Sequence, residues 1–342
     1  MKRQIILTAV VLCLISQVFS QQSIHLPPKD SIATMMNKMG VPGLVIATIE
    51  NGAINQISSF GTKYDGSEMP VDAVFNTASL TKSITSFLAL SLVDNGRLTM
   101  DERLSDYWID PDLVDDDRVH LLTPHIILSH QTGFDNWRWM NEEKKLKFNF
   151  EPGTKVAYSG EGYEYLRRAL EAKFNTTFDE LVREHVFGPL KMMDSYLGWD
   201  DRIDVVKYAG EFKNPEEPYE ITKADPSAAD DLITSAMDLG RFLVALNSRL
   251  VEDLDFQFFQ PQVDVRPGIK FTHGWIRFDG LPNDEYALFG AGSDSGVSAI
   301  MCLMPKSERG IVLLSNGENR GLVVNLVRLA LEDAGAEIVG RF

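Results

Sequence analysis

Two side chains able to form and release a covalent bond stand three residues apart in Ser79-Leu80-Thr81-Lys82. At helical spacing both fall on one face about one turn apart, so the amine can reach the hydroxyl. A serine hydroxyl is a poor nucleophile until a base removes its proton. A lysine whose pKa is lowered by burial or by a neighbouring cation can be that base. A helix N-terminus at the same place favours developing negative charge. Taken alone, a Ser-x-x-Lys arises roughly once by chance in a chain of this length. Its context lifts it: Phe75-Asn76-Thr77-Ala78 leads out of a hairpin region, and a strongly apolar helix follows with Ile84, Phe87, Leu88 and Leu92 on one stripe.

Three further segments agree with that reading in order along the chain. They are Leu128-Ser129-His130-Gln131-Thr132-Gly133, then Glu151-Pro152-Gly153 leading to Tyr158-Ser159, then Gly290-Ala291-Gly292-Ser293 with Gly296 and Asn316 beyond. Through these segments and the Ser-x-x-Lys, the chain after its N-terminal leader resembles the serine β-lactamase and penicillin-binding-protein superfamily, most of all its class C-like and esterase branch. The resemblance implies an α+β fold: one antiparallel sheet built from both chain ends with flanking helices, plus a mostly helical inserted lobe.

It also implies roles. Tyr158 falls where the family keeps a tyrosine whose oxygen shares protons with the serine and lysine during acylation and deacylation. The backbone N–H groups of Ser79 and Ser293 would form the oxyanion hole, where preorganised donors are worth about 3 kcal/mol of barrier. Gly160, Gly290, Ala291 and Gly292 would line the substrate, glycine allowing close approach. Two positions depart from the pattern: the asparagine usual after Tyr-Ser is Gly160, and the Lys or His of the third motif is Gly290. The missing cation argues against efficient β-lactam or D-alanyl-D-alanine handling, which the esterase branch needs less. His273, just before Gly274-Trp275, is a candidate to replace it in part.

The elements that would position these residues are legible in outline. Asp30 to Gly40 carries Ile32, Met35, Met36 and Met39 in helical spacing with glycine as the stop. Gly43–Glu50 and Ala53–Phe60 are strand-like about Asn51-Gly52, the dipeptide of a two-residue hairpin turn. Four apolar runs, near Gly274–Phe278, Tyr286–Phe289, Val297–Met304 and Gly310–Leu314, precede a closing helix from about Leu322 to Ala334. Between the ends, about 79–250 is mostly helical in period. Within it Thr234-Ser235 begins a helix, with Ser235 as cap and Asp238 in the acidic place of a capping box. The expected organisation is a leader over 1–20 and a hydrolase domain over 21–342, with an α/β lobe from about 24–78 and 251–342 and a helical lobe from about 79–250. Chemistry would sit in the cleft between lobes.

Composition bounds the rest. The chain has 342 residues, 44% hydrophobic and 24% charged, an ordinary globular balance. Met1-Lys2-Arg3-Gln4 precedes an apolar run from Ile5 to Phe19, with Val18 and Ser20 at cleavage offsets, the pattern of a signal peptide. The expected product is exported, periplasmic or secreted, with no stable membrane span after cleavage. Leu12 stands before Cys13 where a lipoprotein signal needs a small residue. Cleavage removes Lys2, Arg3 and Cys13, so the net charge of −16 becomes −18 and Cys302 is left without an intrachain partner. Such an acidic surface disfavours nucleic acid and anionic lipid. The expected partner is a small-molecule, peptide or peptidoglycan-like acyl substrate.

Other motifs carry less. His120, His125 and His130 at steps of five point to different helix faces, so no metal site is expected. Asp115-Asp116-Asp117 reads as a solvated loop, and Asp294-Ser295-Gly296 lacks the histidine context of a trypsin-like protease. Neither a Gly-x-Ser-x-Gly elbow nor a phosphate loop or dinucleotide fingerprint is present, so no cofactor is expected. Three readings remain: an esterase or amidase working through Ser79, a β-lactamase or D-alanyl-D-alanine peptidase, and a non-catalytic binding or sensing module on the same fold.

Overall fold

The computed structural model describes residues 23–199, 201–214, 216–218, 226–251, 259 and 262–341, so the leader expected over 1–20 lies outside the described residues. Eight strands form the main sheet: β1 (Gly43–Glu50), β2 (Ala53–Gly61), β3 (Val263–Arg266), β4 (Ile269–Phe271), β5 (Ile276–Leu281), β6 (Glu285–Asp294), β7 (Val297–Met304) and β8 (Arg309–Ser315). Their order is β2-β1-β8-β7-β6-β5-β4-β3, antiparallel throughout, so the two chain ends meet where β1 pairs with β8. The fold is α+β, as expected. Asn51 (φ 53°) and Gly52 (φ 67°) make the turn between β1 and β2, both left-handed as a two-residue hairpin needs.

The central strands are buried on both faces, and their alternation feeds two cores. Val45, Ala47 and Ile49 of β1, Ala299, Met301 and Leu303 of β7, and Val312 and Leu314 of β8 enter the larger core. Leu44 and Ile46, Ile300, Cys302 and Met304, and Ile311 and Leu313 enter the smaller one. Period-two alternation in a two-sided sheet produces this division without a break in the apolar run. The smaller core is closed by α1 (Lys29–Met39), α5 (Arg320–Ala330) and α6 (Glu332–Gly340) through Ile32, Met36, Leu326 and Ile338. Gly40 (φ 66°) caps α1 as expected. The single closing helix expected over 322–334 is two, because Glu332 adopts φ 50° and breaks the run after Leu331.

The larger core holds α2 (Thr81–Asp94), α3 (Gly160–Phe174) and α4 (Ala236–Val251). Nearly every residue of α2 is buried, Lys82 included, so it runs through the middle of the molecule with no solvated face. The region expected to be helical also contributes strands. Leu232–Ser235 pairs with Val74–Asn76 and with Tyr196–Leu197 in a small antiparallel sheet that fixes the approach to residue 79. Ser235 caps α4 by accepting from the Asp238 N–H at 3.2 Å. Asp238 does not complete a capping box: its carboxylate accepts from the Asp194 N–H at 2.7 Å and the Ser195 hydroxyl at 3.0 Å, tying α4 to another segment.

Candidate active site

Ser79 sits on a single 3-10 turn, Ala78–Leu80, that runs directly into α2. The turn is pinned from several sides. The Thr77 N–H and hydroxyl both donate to the Leu232 carbonyl, at 2.8 and 2.9 Å. Asn76 Oδ1 accepts from the Ala78 N–H at 2.9 Å, and the Thr81 hydroxyl donates to the Ala78 carbonyl at 2.7 Å. These contacts hold Ala78 at φ 46°, a left-handed conformation costing a non-glycine residue about 1 kcal/mol. The strain is spent at the residue before the candidate nucleophile.

Lys82 is buried, and its Nζ donates to Ser79 Oγ at 3.1 Å and to the Ala229 carbonyl at 2.7 Å. The same nitrogen lies 4.8 Å from the centroid of the Tyr158 ring and 5.7 Å from that of Tyr163. The nitrogen therefore reaches the Ser79 hydroxyl and sits beside the Tyr158 ring. Tyr158 is held by its neighbours: the Ala157 N–H donates to the His130 carbonyl at 2.9 Å, and Ser159 caps α3, accepting from the Gly162 N–H at 3.0 Å. The His130 ring lies 4.5 Å from Tyr158, with Nδ1 accepting from the Ser159 N–H at 3.2 Å. Burial, and then the charge of Lys82, push the His130 pKa down to about 3, so the imidazole is a neutral fixture that carries its proton on Nε2.

A cavity of about 860 Å³ opens over Ser79 and Tyr158 and is lined on the sheet side by Ala291, Gly292, Ser293 and Asp294. Pairing of β6 with β5 stops at Phe289, whereas pairing with β7 continues through Asp294, so Gly290–Asp294 turns an open edge toward the nucleophile turn. Gly292 is obligatory there, since a Cβ would stand 1.9 Å from the Thr77 carbonyl oxygen.

The profile of the Beta-lactamase family matches residues 29–334. The chain belongs to that family. Penicillin-binding protein 4 of Amycolatopsis lactamdurans is 23% identical over 314 residues, covering 81% of each chain. The β-lactamase/D-alanine carboxypeptidase of Pseudomonas syringae superposes with a TM-score of 0.74 at 19% identity, over 89% of this chain and 99% of that one. The D-amino acid amidase of Ochrobactrum anthropi SV3 gives 0.73 at 19% identity, over 89% and 96%. The two solved structures share the fold of this chain. Among the described residues, no helix is long and apolar enough to cross a membrane.

Of the expected site residues, Ser79, Tyr158, Ala291, Gly292 and Ser293 line one cavity, and Lys82 lies beneath it. Three residues expected to touch substrate lie elsewhere. His273 is buried behind α2, its Nε2 2.9 Å from His125 Nδ1 and its carbonyl accepting from the Ser86 hydroxyl at 2.6 Å, so it replaces no cation in the cleft. Gly290 packs on the nucleophile turn and the start of α2, where a Cβ would stand 3.1 Å from Leu80 Cδ2 and 3.4 Å from Ser83 Oγ. Gly160 is covered by Trp137, whose indole carbons Cη2 and Cζ2 lie 2.7 Å from where a Cβ would be.

Sequence reading missed most of the other lining: Asn136, Trp137, Trp139 and Met140 on one stretch, Glu164 and Arg167 on α3, Pro226, Ser227, Asp230 and Asp231 on the approach to the strand 232–235, Ile276 on β5, and Asp294 and Arg320. The aromatic run directly after the Leu-Ser-His motif, and the Asp230-Asp231 pair before a strand, were the available signals. Burial, then the charges of Asp230, Asp294 and Glu211, push the Asp231 carboxyl up to about 7. Burial also raises Asp230, against the pull of Lys82.

Proposed function

We propose that this member of the Beta-lactamase family is an exported hydrolase that opens an ester or amide through an acyl-enzyme on Ser79. The observation that carries the reading is the 3.1 Å bond between Lys82 Nζ and Ser79 Oγ on the floor of a cavity that Tyr158 also lines. In the proposed first step the Ser79 hydroxyl attacks the substrate carbonyl while its proton passes to the Lys82–Tyr158 pair. The backbone N–H groups of Ser79 and Ser293 take the negative charge on the carbonyl oxygen. The pair returns the proton to the departing alcohol or amine, and a water deprotonated by the same pair then releases the acid and restores Ser79. Export rests on the composition of residues 1–20.

The charge of the cleft supports esters and amides over β-lactam or D-alanyl-D-alanine substrates. Gly290 supplies no cation at the third motif, and three acids, Asp230, Asp231 and Asp294, line the cavity against Arg320 and an Arg167 already paired with Glu164 and Glu171. The same substitutions at Gly160 and Gly290 support a second reading, a module that binds acyl ligands without turnover. Intact-mass analysis after incubation with a fluorophosphonate separates the two. The enzyme reading expects one adduct on the natural chain, none on Ser79→Ala, and a drop of at least a thousandfold in nitrophenyl ester hydrolysis for that variant. Lys82→Ala and Tyr158→Phe are expected to lose about a hundredfold or more, the range for a positioned proton-transfer group. An unlabelled natural chain would point to the binding module.

A further inference from the structure

We propose that Trp137 is the specificity-determining surface of this cleft and selects substrates with an apolar acyl group, the indole standing where the family keeps an asparagine amide. The inference rests on Ser79 being the nucleophile.

Gly160 follows Tyr158-Ser159 at the position of that asparagine, and the space its side chain would occupy is filled. An added Cβ would meet Trp137 Cη2 and Cζ2 at 2.7 Å and Cζ3 at 3.0 Å. The glycine is therefore not a simple loss of a polar contact; it is the condition for laying an indole on the first turn of α3. Trp137 lines the cavity with Tyr158, Ile276 and Ala291, and the exposed Trp139 and Met140 continue the apolar surface to the rim. Large exposed apolar side chains gathered at the mouth of a reactive cavity mark a surface that binds something.

The indole is also held in advance of any substrate. Before it, the Asn136 carbonyl accepts from the N–H groups of Gly160 and Glu161, both at 3.0 Å, and Asn136 Oδ1 accepts from Gly160 at 2.9 Å. After it, the Arg138 N–H donates to Glu161 Oε1 at 2.9 Å, while the guanidinium donates to Glu161 Oε2 at 3.0 Å and to Asp110 Oδ2 at 2.8 Å. Both neighbours of Trp137 are thus fixed to the helix turn that carries Gly160. A preorganised aromatic wall binds an apolar group with little ordering cost. Its natural complement is an aliphatic or aromatic acyl chain lying between Trp137 and Tyr158 while its carbonyl meets Ser79.

The test is a series of nitrophenyl esters, acetate, butyrate, hexanoate and phenylacetate, with fluorophosphonate labelling run in parallel. For the natural chain kcat/KM is expected to rise at least tenfold from acetate to hexanoate, within a ceiling of about fourfold per buried methylene. Trp137→Ala is expected to flatten the series to under twofold, and Trp137→Phe to keep most of the slope. Gly160→Ala, which pushes the ring without removing it, should fall between. The slope is a ratio within each variant, so a general loss of folded protein does not imitate the effect. A labelled chain with a flat series, or a slope unchanged in Trp137→Ala, overturns the inference and leaves Ser79 as nucleophile. A chain that takes no label removes both.

Discussion

Two stretches of the cleft lining handle charge in opposite ways. In Asn136–Met140 the charged side chain turns away from the cavity: Arg138 meets Asp110 at 2.8 Å, Glu161 at 2.9 Å and Asp112 at 3.4 Å, with Asp110 and Glu161 buried. The face left toward the cavity is an indole. In the other stretch, Asp230, Asp231 and Asp294 themselves line the cavity, with Arg320 also in the lining, and among the described residues no ion pair reaches the three acids. Charges neutralised behind a wall make it rigid and apolar. Charges left on its surface set the field a substrate meets and take up protons as the pH falls. One cleft thereby combines an anchored apolar surface with a titrating acidic one.

The sharpest break in this contrast is Arg138→Met. Removing the cation leaves Asp110 and Glu161 buried without a countercharge, a change worth about 3 kcal/mol of stability. A urea titration should show the midpoint fall at unchanged slope. Arg138→Lys should recover little, because a single ammonium cannot match the forked geometry that spans two carboxylates. Asp294→Asn, on the exposed end of β6, should move stability by less than about 0.5 kcal/mol. Equal effects of Arg138→Met and Asp294→Asn would erase the distinction between the two stretches.

That difference also explains what could be read from the chain alone. The hairpin at Asn51-Gly52, the Gly40 cap and the strands over 297–304 and 309–315 follow from local rules of turn chemistry and period, so they were legible. The resemblance pointed to Gly292 together with Ser79, Lys82 and Tyr158, but for approach by a substrate, whereas the close contact that demands glycine there is with the Thr77 carbonyl. Trp137 was not legible, since a tryptophan in an irregular segment has no period to betray its direction. The Arg138 cluster joins positions 110, 138 and 161, and Asp230 meets Asp294 only because β6 and the strand 232–235 converge on one turn. His273 was misplaced for the same reason: its neighbour in sequence, Gly274, lies against Ser86 of α2, which carries the imidazole behind the helix. Closures of this kind, from 23 residues for Arg138 with Glu161 to 187 for Ser86 with His273, leave no trace in local pattern.

The acidic stretch can be tested with a matched pair of substrates, choline hexanoate and its uncharged isostere 3,3-dimethylbutyl hexanoate. The shapes agree and the quaternary ammonium cannot titrate, so the ratio of their kcat/KM values reads the field at the leaving group. The natural chain should favour the cation. Asp230→Asn and Asp294→Asn should each lower the ratio by roughly threefold, the scale of one carboxylate at several ångströms in a largely aqueous setting. Added salt should lower it further. A ratio that ignores both variants would mean that these acids do not face the substrate.

The smallest effect belongs to Asp231 and depends on pH. Its carboxyl is pushed up to about 7 from the ordinary aspartate value of 3.8, by burial first and then by Asp230, Asp294 and Glu211. Between pH 4 and 7 the folded chain therefore binds a proton that the unfolded chain has released, and stability falls as the pH rises through that window. The loss is absent below about pH 4 and complete above about pH 7. Asp231→Asn cannot ionise, and asparagine tolerates the φ of 64° found here. Its melting temperature relative to the natural chain should therefore climb with pH and level off near neutrality, by on the order of 2 °C once partial exposure has screened the interaction. Removing one of the neighbouring charges with Asp294→Asn should shift the same window toward lower pH. A difference in melting temperature that stays constant from pH 4 to pH 8.5 would show that this carboxyl keeps its ordinary ionisation and that the acidic stretch is better solvated than its burial implies.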